Sequence, residues 1–162
     1  MLASDRVGPA PPAHGPNPWT PDEANARLPE LKELLPNLRA WVVRLRKVHA
    51  ERRRLSEFWG KEFEAPDHPD RPLRLRLAEE EQELTQLLEE ALERLDQDGI
   101  EVKDLDTGLV DFRSVRDGEP VLLCWQRGEP SVGFFHTLEG GYRSRRPLSE
   151  PPAAPELPGP DG

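Results

Sequence analysis

The chain has 162 residues, a formal net charge of −9 and a single cysteine. One cysteine excludes an internal disulfide and a cysteine-rich zinc motif, and the negative charge argues against non-specific binding of nucleic acid by the whole molecule. The sequence contains no apolar run long enough to cross a bilayer and no apolar secretory segment at its start, so we expect a cytoplasmic protein without a membrane partner.

Both ends of the chain are rich in proline and poor in large apolar side chains. Residues 1–18 and residues 149–162 contain five prolines each. Such segments bury too little apolar surface to offset the entropy of ordering, so both are predicted to be disordered tails. A single domain is predicted over residues 19–148, with a helical hairpin at 20–98 and a β-rich end at 99–148.

The first predicted helix is long and amphipathic. The sequence TPDE at residues 20–23 predicts its start, because a capping threonine precedes proline at the first helical position. Pro29 is predicted to end or restart the helix, and Pro36 to kink it. From Leu31 to Trp59, apolar residues recur at intervals of three and four, which predicts one buried face of a helix.

A second predicted helix pairs with the first. Proline and aspartate between Gly60 and Pro72 indicate a loop, and a second apolar stripe runs from Leu77 to Leu95 before Gly99 ends the helix. Two helices joined in this way predict an antiparallel hairpin with coiled-coil-like packing. The first helix is mainly basic and the second mainly acidic, which favours ion pairs beside the seam. The apolar face also suits a homodimer formed through the helices.

One charged residue interrupts the apolar stripe of the first helix. Continuing the spacing of Leu31 and Leu38 by sevens reaches Arg52. A guanidinium at a core-facing position needs a charge partner, because an unpaired buried charge is costly. Arg52 is therefore predicted to have a structural role in an ion pair with one of four acids, of which Glu80 lies nearest the matching seam: Glu79, Glu80, Glu81 and Glu83.

The β-rich end is predicted to be a small antiparallel meander of three or four strands. Short alternating or apolar runs separated by glycine turns indicate strands at residues 100–103, 109–112, 121–127 and 132–138. A sheet of this size needs a cover for one face, and the hairpin is the available cover. The predicted fold class is therefore α+β.

Four stretches of the sequence carry a resemblance to a known family. They are TPDEANARLPEL at residues 20–31, GLVDF at 108–112, CWQRGEP at 124–130 and FFH at 134–136. Together they resemble an uncharacterised prokaryotic family known only as a domain of unknown function, over roughly residues 19–148. The resemblance implies a helical hairpin followed by a sheet, and it implies no activity.

Cys124 and His136 are the residues best suited to chemistry. A tight turn at Gly128-Glu129 would pair residues whose numbers sum to about 257, which puts Cys124 opposite Gly133 and away from His136. This register disfavours a cysteine nucleophile, so Cys124 is predicted to be structural. Without the short spacing of a metal motif, no cofactor or metal is predicted. The alternative is a metal site or hydrolase-like site centred on His136, with Glu129 and Asp111.

The leading functional prediction is a non-enzymatic binding or interaction module. Arginine and aromatic side chains at the β-rich end suit an unknown protein or a small anionic ligand as partner. A binder of single-stranded nucleic acid is a less favoured alternative with the same side chains. The predicted binding residues are Asp111, Arg116, Trp125, Arg127, Glu129, Phe134, His136 and Arg145.

Overall fold

Two long helices and a five-stranded sheet make up the computed structural model, which describes residues 17–149. Helix α1 spans Pro21–Trp59, and after a 3-10 turn at Gly60–Glu64, helix α2 spans Arg71–Gln97. The strands are β1 Ile100–Asp104, β2 Leu109–Arg116, β3 Glu119–Gln126, β4 Phe134–Thr137 and β5 Arg146–Pro147. The predicted α+β class is confirmed, with a two-residue fifth strand beyond the three or four expected. The predicted disordered tails lie almost entirely outside the described residues.

Helix α1 begins where the sequence predicts and continues further than predicted. The Thr20 hydroxyl accepts a hydrogen bond from the Glu23 amide at 3.2 Å, and Pro21 occupies the first turn. The prediction that Pro29 ends or restarts the helix is wrong, because α1 runs through both Pro29 and Pro36. A proline inside a helix costs about 3 kcal/mol. The apolar stripe on both sides of the prolines packs against the rest of the domain, and this packing outweighs the local cost. The stripe residues are Leu28, Leu31, Leu35 and Leu38.

Ion pairs flank the hairpin where the charge pattern predicts them. The Arg44 guanidinium binds Glu80, with Nη2 2.9 Å from Oε2. The predicted ion pair from Arg52 is present, and Glu81 is its partner. The Arg52 side chain is 38% exposed, so it lies at the edge of the seam and not in a sealed core. Among the described residues, no helix is both long and apolar enough to span a lipid bilayer.

The sheet presents one face to the helices and the other away from them. Its strands follow chain order, β1-β2-β3-β4-β5, and each is antiparallel to the next. The inner face packs against the apolar stripe of α1 and carries Val110, Phe112, Leu123, Trp125 and Phe135. Because successive side chains of a strand alternate between faces, Asp111 and Cys124 point to the outer face.

The register of β4 against β3 differs from the predicted one by a single residue. Cys124 pairs with Phe134 and Leu122 pairs with His136, so the prediction that Cys124 faces Gly133 is wrong. A loop of residues 127–133 joins the strands in place of a tight turn. A shift of one residue moves a side chain to the opposite face, and it therefore brings Cys124 and His136 onto the same face.

Candidate functional site

Three side chains of types that can bind a metal ion meet on the outer face of the sheet, one from each of three neighbouring strands. Asp111 of β2 lies directly opposite Cys124 of β3, and His136 of β4 lies two positions along from Phe134, the residue that pairs with Cys124. Their ligand atoms all lie within 4.8 Å of one another. The residues are 2%, 0% and 3% exposed, so the cluster is buried although it is on the side away from the helices.

Both ring nitrogens of His136 make hydrogen bonds to oxygen atoms. Its Nδ1 lies 2.8 Å from the Thr137 carbonyl oxygen, and its Nε2 lies 3.0 Å from Asp111 Oδ2. A carbonyl oxygen can only accept, so Nδ1 carries a hydrogen and donates it. The second bond then needs a proton of its own, on either Nε2 or Asp111 Oδ2. The Asp111–His136 pair therefore shares one proton and has no net charge.

Asp111 has one satisfied carboxyl oxygen and one that is buried without a partner. Its Oδ1 has no hydrogen-bond partner within the described part of the chain. Burial raises the pKa of this carboxyl, while the charge of His136 and the hydrogen bonds with His136 and with the Cys124 thiol act in the opposite direction. A buried oxygen without a partner carries a desolvation cost that a structural ion pair alone does not explain.

The Cys124 thiol is neutral and poorly suited to nucleophilic attack. Burial, reinforced by the nearby Asp111 carboxyl, raises the pKa of Cys124 to about 12. Both nitrogens of His136 are already engaged by oxygen acceptors, so neither is available to remove the thiol proton. The arrangement therefore disfavours a cysteine–histidine nucleophile even though the two residues are close.

Arg145 closes one side of the cluster. Its guanidinium lies 4.0 Å from the centre of the Phe134 ring and 4.4 Å from the centre of the Tyr142 ring. It makes a hydrogen bond with the Cys124 thiol, and its Nη1 lies 3.0 Å from Glu129 Oε1. Glu129, which the sequence suggested as an alternative ligand, is thus separated from the cluster by a single guanidinium.

The other predicted binding residues do not join this group. Trp125 is fully buried in the inner core, where its Nε1 donates to the Glu129 carbonyl oxygen. The Arg116 guanidinium lies 4.3 Å from the centre of the Phe135 ring, and Arg127 donates to the backbone of the loop between β1 and β2. The predicted binding residues therefore divide between the outer-face cluster, the core and the edge of the sheet.

Fold and site define a class of protein: an α+β domain in which a helical hairpin covers a five-stranded meander, with a buried carboxylate, thiol and imidazole on the outer face. The family model described as an uncharacterised conserved protein (DUF2203) matches residues 17–148, and the chain belongs to this family. The resemblance seen in the sequence is thereby confirmed. Neither a curated protein nor a solved structure matches the chain.

Proposed function

We propose that this protein binds a divalent transition-metal ion, with Zn²⁺ as the best fit, through the Asp111 carboxylate, Cys124 Sγ and His136 Nε2. One observation carries the proposal: a carboxylate oxygen of Asp111, the Cys124 sulfur and a ring nitrogen of His136 lie within 4.8 Å of one another, and all three residues are buried. Asp111 also has one oxygen, Oδ1, without a hydrogen-bond partner among the described residues. A metal ion would satisfy the buried oxygen and use the thiol and the imidazole together.

The mixed donor set favours Zn²⁺ over harder cations. Ca²⁺ and Mg²⁺ prefer oxygen ligands, whereas a thiolate with an imidazole suits Zn²⁺ and its neighbours in the first transition row. Tetrahedral zinc would hold these donors about 3.5 Å apart. The 3.0 Å contact between His136 Nε2 and Asp111 Oδ2 would widen, and any contact longer than this spacing, with 4.8 Å as the upper limit, would shorten. These are side-chain movements that leave the strands in register.

The hydrogen bond to Thr137 supports His136 as a ligand. Zinc-binding histidines usually donate their other ring N–H to a backbone carbonyl or a carboxylate, which fixes the tautomer and orients the ring. His136 Nδ1 makes such a bond at 2.8 Å, so Nε2 is the nitrogen directed at the cluster. Metal binding would release the proton shared with Asp111 and the thiol proton, because the ligands must be deprotonated.

The burial of the three residues favours an ion that has a structural or storage role over an ion that takes part in catalysis. All three ligating residues are at most 3% exposed, so a substrate has no direct route to the ion. A free thiol is required for this site, and a reducing cytoplasm keeps a cysteine in that form. We therefore extend the proposal to a non-enzymatic metal-binding protein of the cytoplasm.

The interaction module predicted from the sequence stays a second proposal. Its residues are less favourable for contacts with a partner, since Trp125 is buried and Arg145 already contacts two aromatic rings and Glu129. The metal-binding proposal is preferred because its three residues converge on one point.

Titration of untagged, full-length protein with Zn²⁺ and Co²⁺ after chelator treatment tests the proposal. We expect one ion per chain and a thiolate-to-cobalt charge-transfer band in the near ultraviolet. Cys124→Ser should remove the band and weaken Zn²⁺ binding by about a hundredfold, and Asp111→Asn should weaken it by a similar factor. Both replacements preserve the shape of the side chain, so the fold should be retained.

His49→Ala is the matched control for adventitious binding. His49 is exposed on the hairpin and lies 3.2 Å from Glu81, so it offers a surface histidine beside a carboxylate. The proposal predicts that this variant binds Zn²⁺ like the wild type. Absence of stoichiometric binding, or binding that is insensitive to Cys124→Ser, would contradict it.

A further inference from the structure

We infer that Glu129 is the fourth ligand of the metal ion, and that Arg145 sets the affinity of the site by competing with the ion for Glu129 and Cys124. The inference rests on the metal-binding function proposed above and extends it to two residues outside the cluster. When the ion binds, it displaces the Arg145 guanidinium, which lies between Cys124 and Glu129 in the metal-free protein.

Arg145 links the cluster to Glu129. Its guanidinium makes a hydrogen bond with the Cys124 thiol on one side and lies 3.0 Å from Glu129 Oε1 on the other. The side chains of Arg145 and Glu129 are only 18% and 19% exposed. A single positive group therefore occupies the space between a buried ligand atom and a largely buried carboxylate.

A divalent ion and this guanidinium are electrostatically incompatible. Two positive charges a few ångströms apart in a poorly solvated site repel each other strongly, so the Arg145 head group has to move when the ion enters. Its departure leaves the Glu129 carboxylate largely buried and without its cation, which is unfavourable. Coordination of the ion by Glu129 restores a positive partner to this carboxylate.

The local backbone allows this exchange. Glu129 lies in the loop between β3 and β4, the strands that carry Cys124 and His136. Its backbone is held by two hydrogen bonds, from Trp125 Nε1 to the carbonyl oxygen at 3.1 Å and from the Glu129 amide to the Gln126 carbonyl oxygen at 3.0 Å. Only the Glu129 side chain has to turn, and its Oε1 then gives up the hydrogen bond that it accepts from the Gln126 amide at 2.6 Å. The displaced Arg145 guanidinium can keep its contact with the Tyr142 ring.

A double-mutant cycle in the full-length protein tests the inference. Zn²⁺ affinity is measured by competition with a chromophoric chelator for the wild type, Arg145→Gln, Glu129→Gln and the double variant. We expect Arg145→Gln to bind Zn²⁺ about tenfold more tightly and Glu129→Gln about tenfold more weakly. Because Arg145 acts partly by holding Glu129, the gain from Arg145→Gln should be clearly smaller in the Glu129→Gln background than in the wild type.

Exposed neighbours provide controls for a general charge effect. Arg143→Gln and Glu139→Gln remove the same charges from exposed positions nearby, and both should leave Zn²⁺ affinity unchanged. A tenfold gain that survives in the double variant would overturn the role of Glu129. Unchanged or weaker binding by Arg145→Gln would overturn the role of Arg145. If the wild type binds no Zn²⁺, or binds it equally well after Cys124→Ser, the proposed function fails and this inference fails with it.

Discussion

Paired polar side chains are exposed to water on the helical hairpin and buried on the outer face of the sheet. In the hairpin, the Arg44 and Glu80 side chains pair while 51% and 31% exposed, in contact with water. On the sheet, the Asp111 and His136 side chains pair while each is 3% exposed. Water replaces a lost partner on the hairpin at little cost, but it cannot do so on the sheet. A polar side chain in the sheet cluster therefore lowers the stability of the fold if it loses its partner, whereas one on the hairpin does not. The presence of polar residues in the cluster needs a functional explanation that the hairpin pairs do not need.

Removal of one member of the buried pair should have the largest effect on stability. In the metal-free protein, Asp111→Ala leaves His136 Nε2 buried without its partner, and we expect the free energy of unfolding to fall by about 3–5 kcal/mol. Urea denaturation measures this directly. A loss below about 1 kcal/mol would mean that the cluster is as well hydrated as the hairpin flank.

Reactivity of the single thiol should differ strongly between the folded and unfolded protein. Burial raises the pKa of Cys124 to about 12, so the thiolate is scarce at pH 8 in the native state and increases only as the pH rises toward that value. Alkylation by iodoacetamide at pH 8 should be at least about a hundredfold slower in the folded protein than in denaturant. Similar rates in both states would contradict the buried, neutral thiol.

Replacement of both partners should cost much less than replacement of one. Asp111→Val combined with His136→Leu removes the polar pair and fills the site with apolar atoms. We expect the metal-free double variant to unfold within about 2 kcal/mol of the wild type, since no buried polar group is left unpaired. The same variant should lose Zn²⁺ binding completely. A loss as large as that of Asp111→Ala would show that the pair itself holds the sheet together.

The smallest effect is expected at the hairpin. Arg52→Leu removes the ion pair to Glu81 at a position that is 38% exposed, so the free energy of unfolding should change by no more than about 1 kcal/mol. Because such pairs fix register more than stability, the variant should self-associate more readily in sedimentation velocity. Strong destabilisation without a change in association would assign Arg52 to the core.

The sequence predicts the helical part of the fold better than the cluster. Helical periodicity and the cap at Thr20 predict the start and inner face of α1, because these signals are local. The continuation of α1 through Pro29 depends on packing against the sheet, which local rules do not include. Likewise, the heptad position of Arg52 predicts that it forms an ion pair. Whether the partner is Glu81 or Glu80 depends on the exact alignment of the two helices, and in the structure Glu80 pairs with Arg44 instead.

The sequence groups Asp111 with His136 as an alternative metal site but leaves Cys124 out of it, because the position of Cys124 depends on one register. The proposed ligands lie at positions 111, 124 and 136, a spacing that matches no short metal motif. Their meeting depends on the pairing of Cys124 with Phe134, which follows from the seven-residue loop between β3 and β4. That loop is held by bonds from distant parts of the chain, including one from the Val132 amide to Asn25 Oδ1 at 2.7 Å. A tight turn between β3 and β4, which is the simplest assumption from the sequence, places Cys124 and His136 on opposite faces of the sheet.

X-ray absorption spectroscopy of the zinc-loaded full-length protein tests the metal centre most directly. We predict one sulfur neighbour at about 2.3 Å and nitrogen or oxygen neighbours at about 2.0–2.1 Å, with the sulfur replaced by a lighter atom in Cys124→Ser. A first shell made of nitrogen and oxygen alone in the wild type would contradict a site at Asp111, Cys124 and His136.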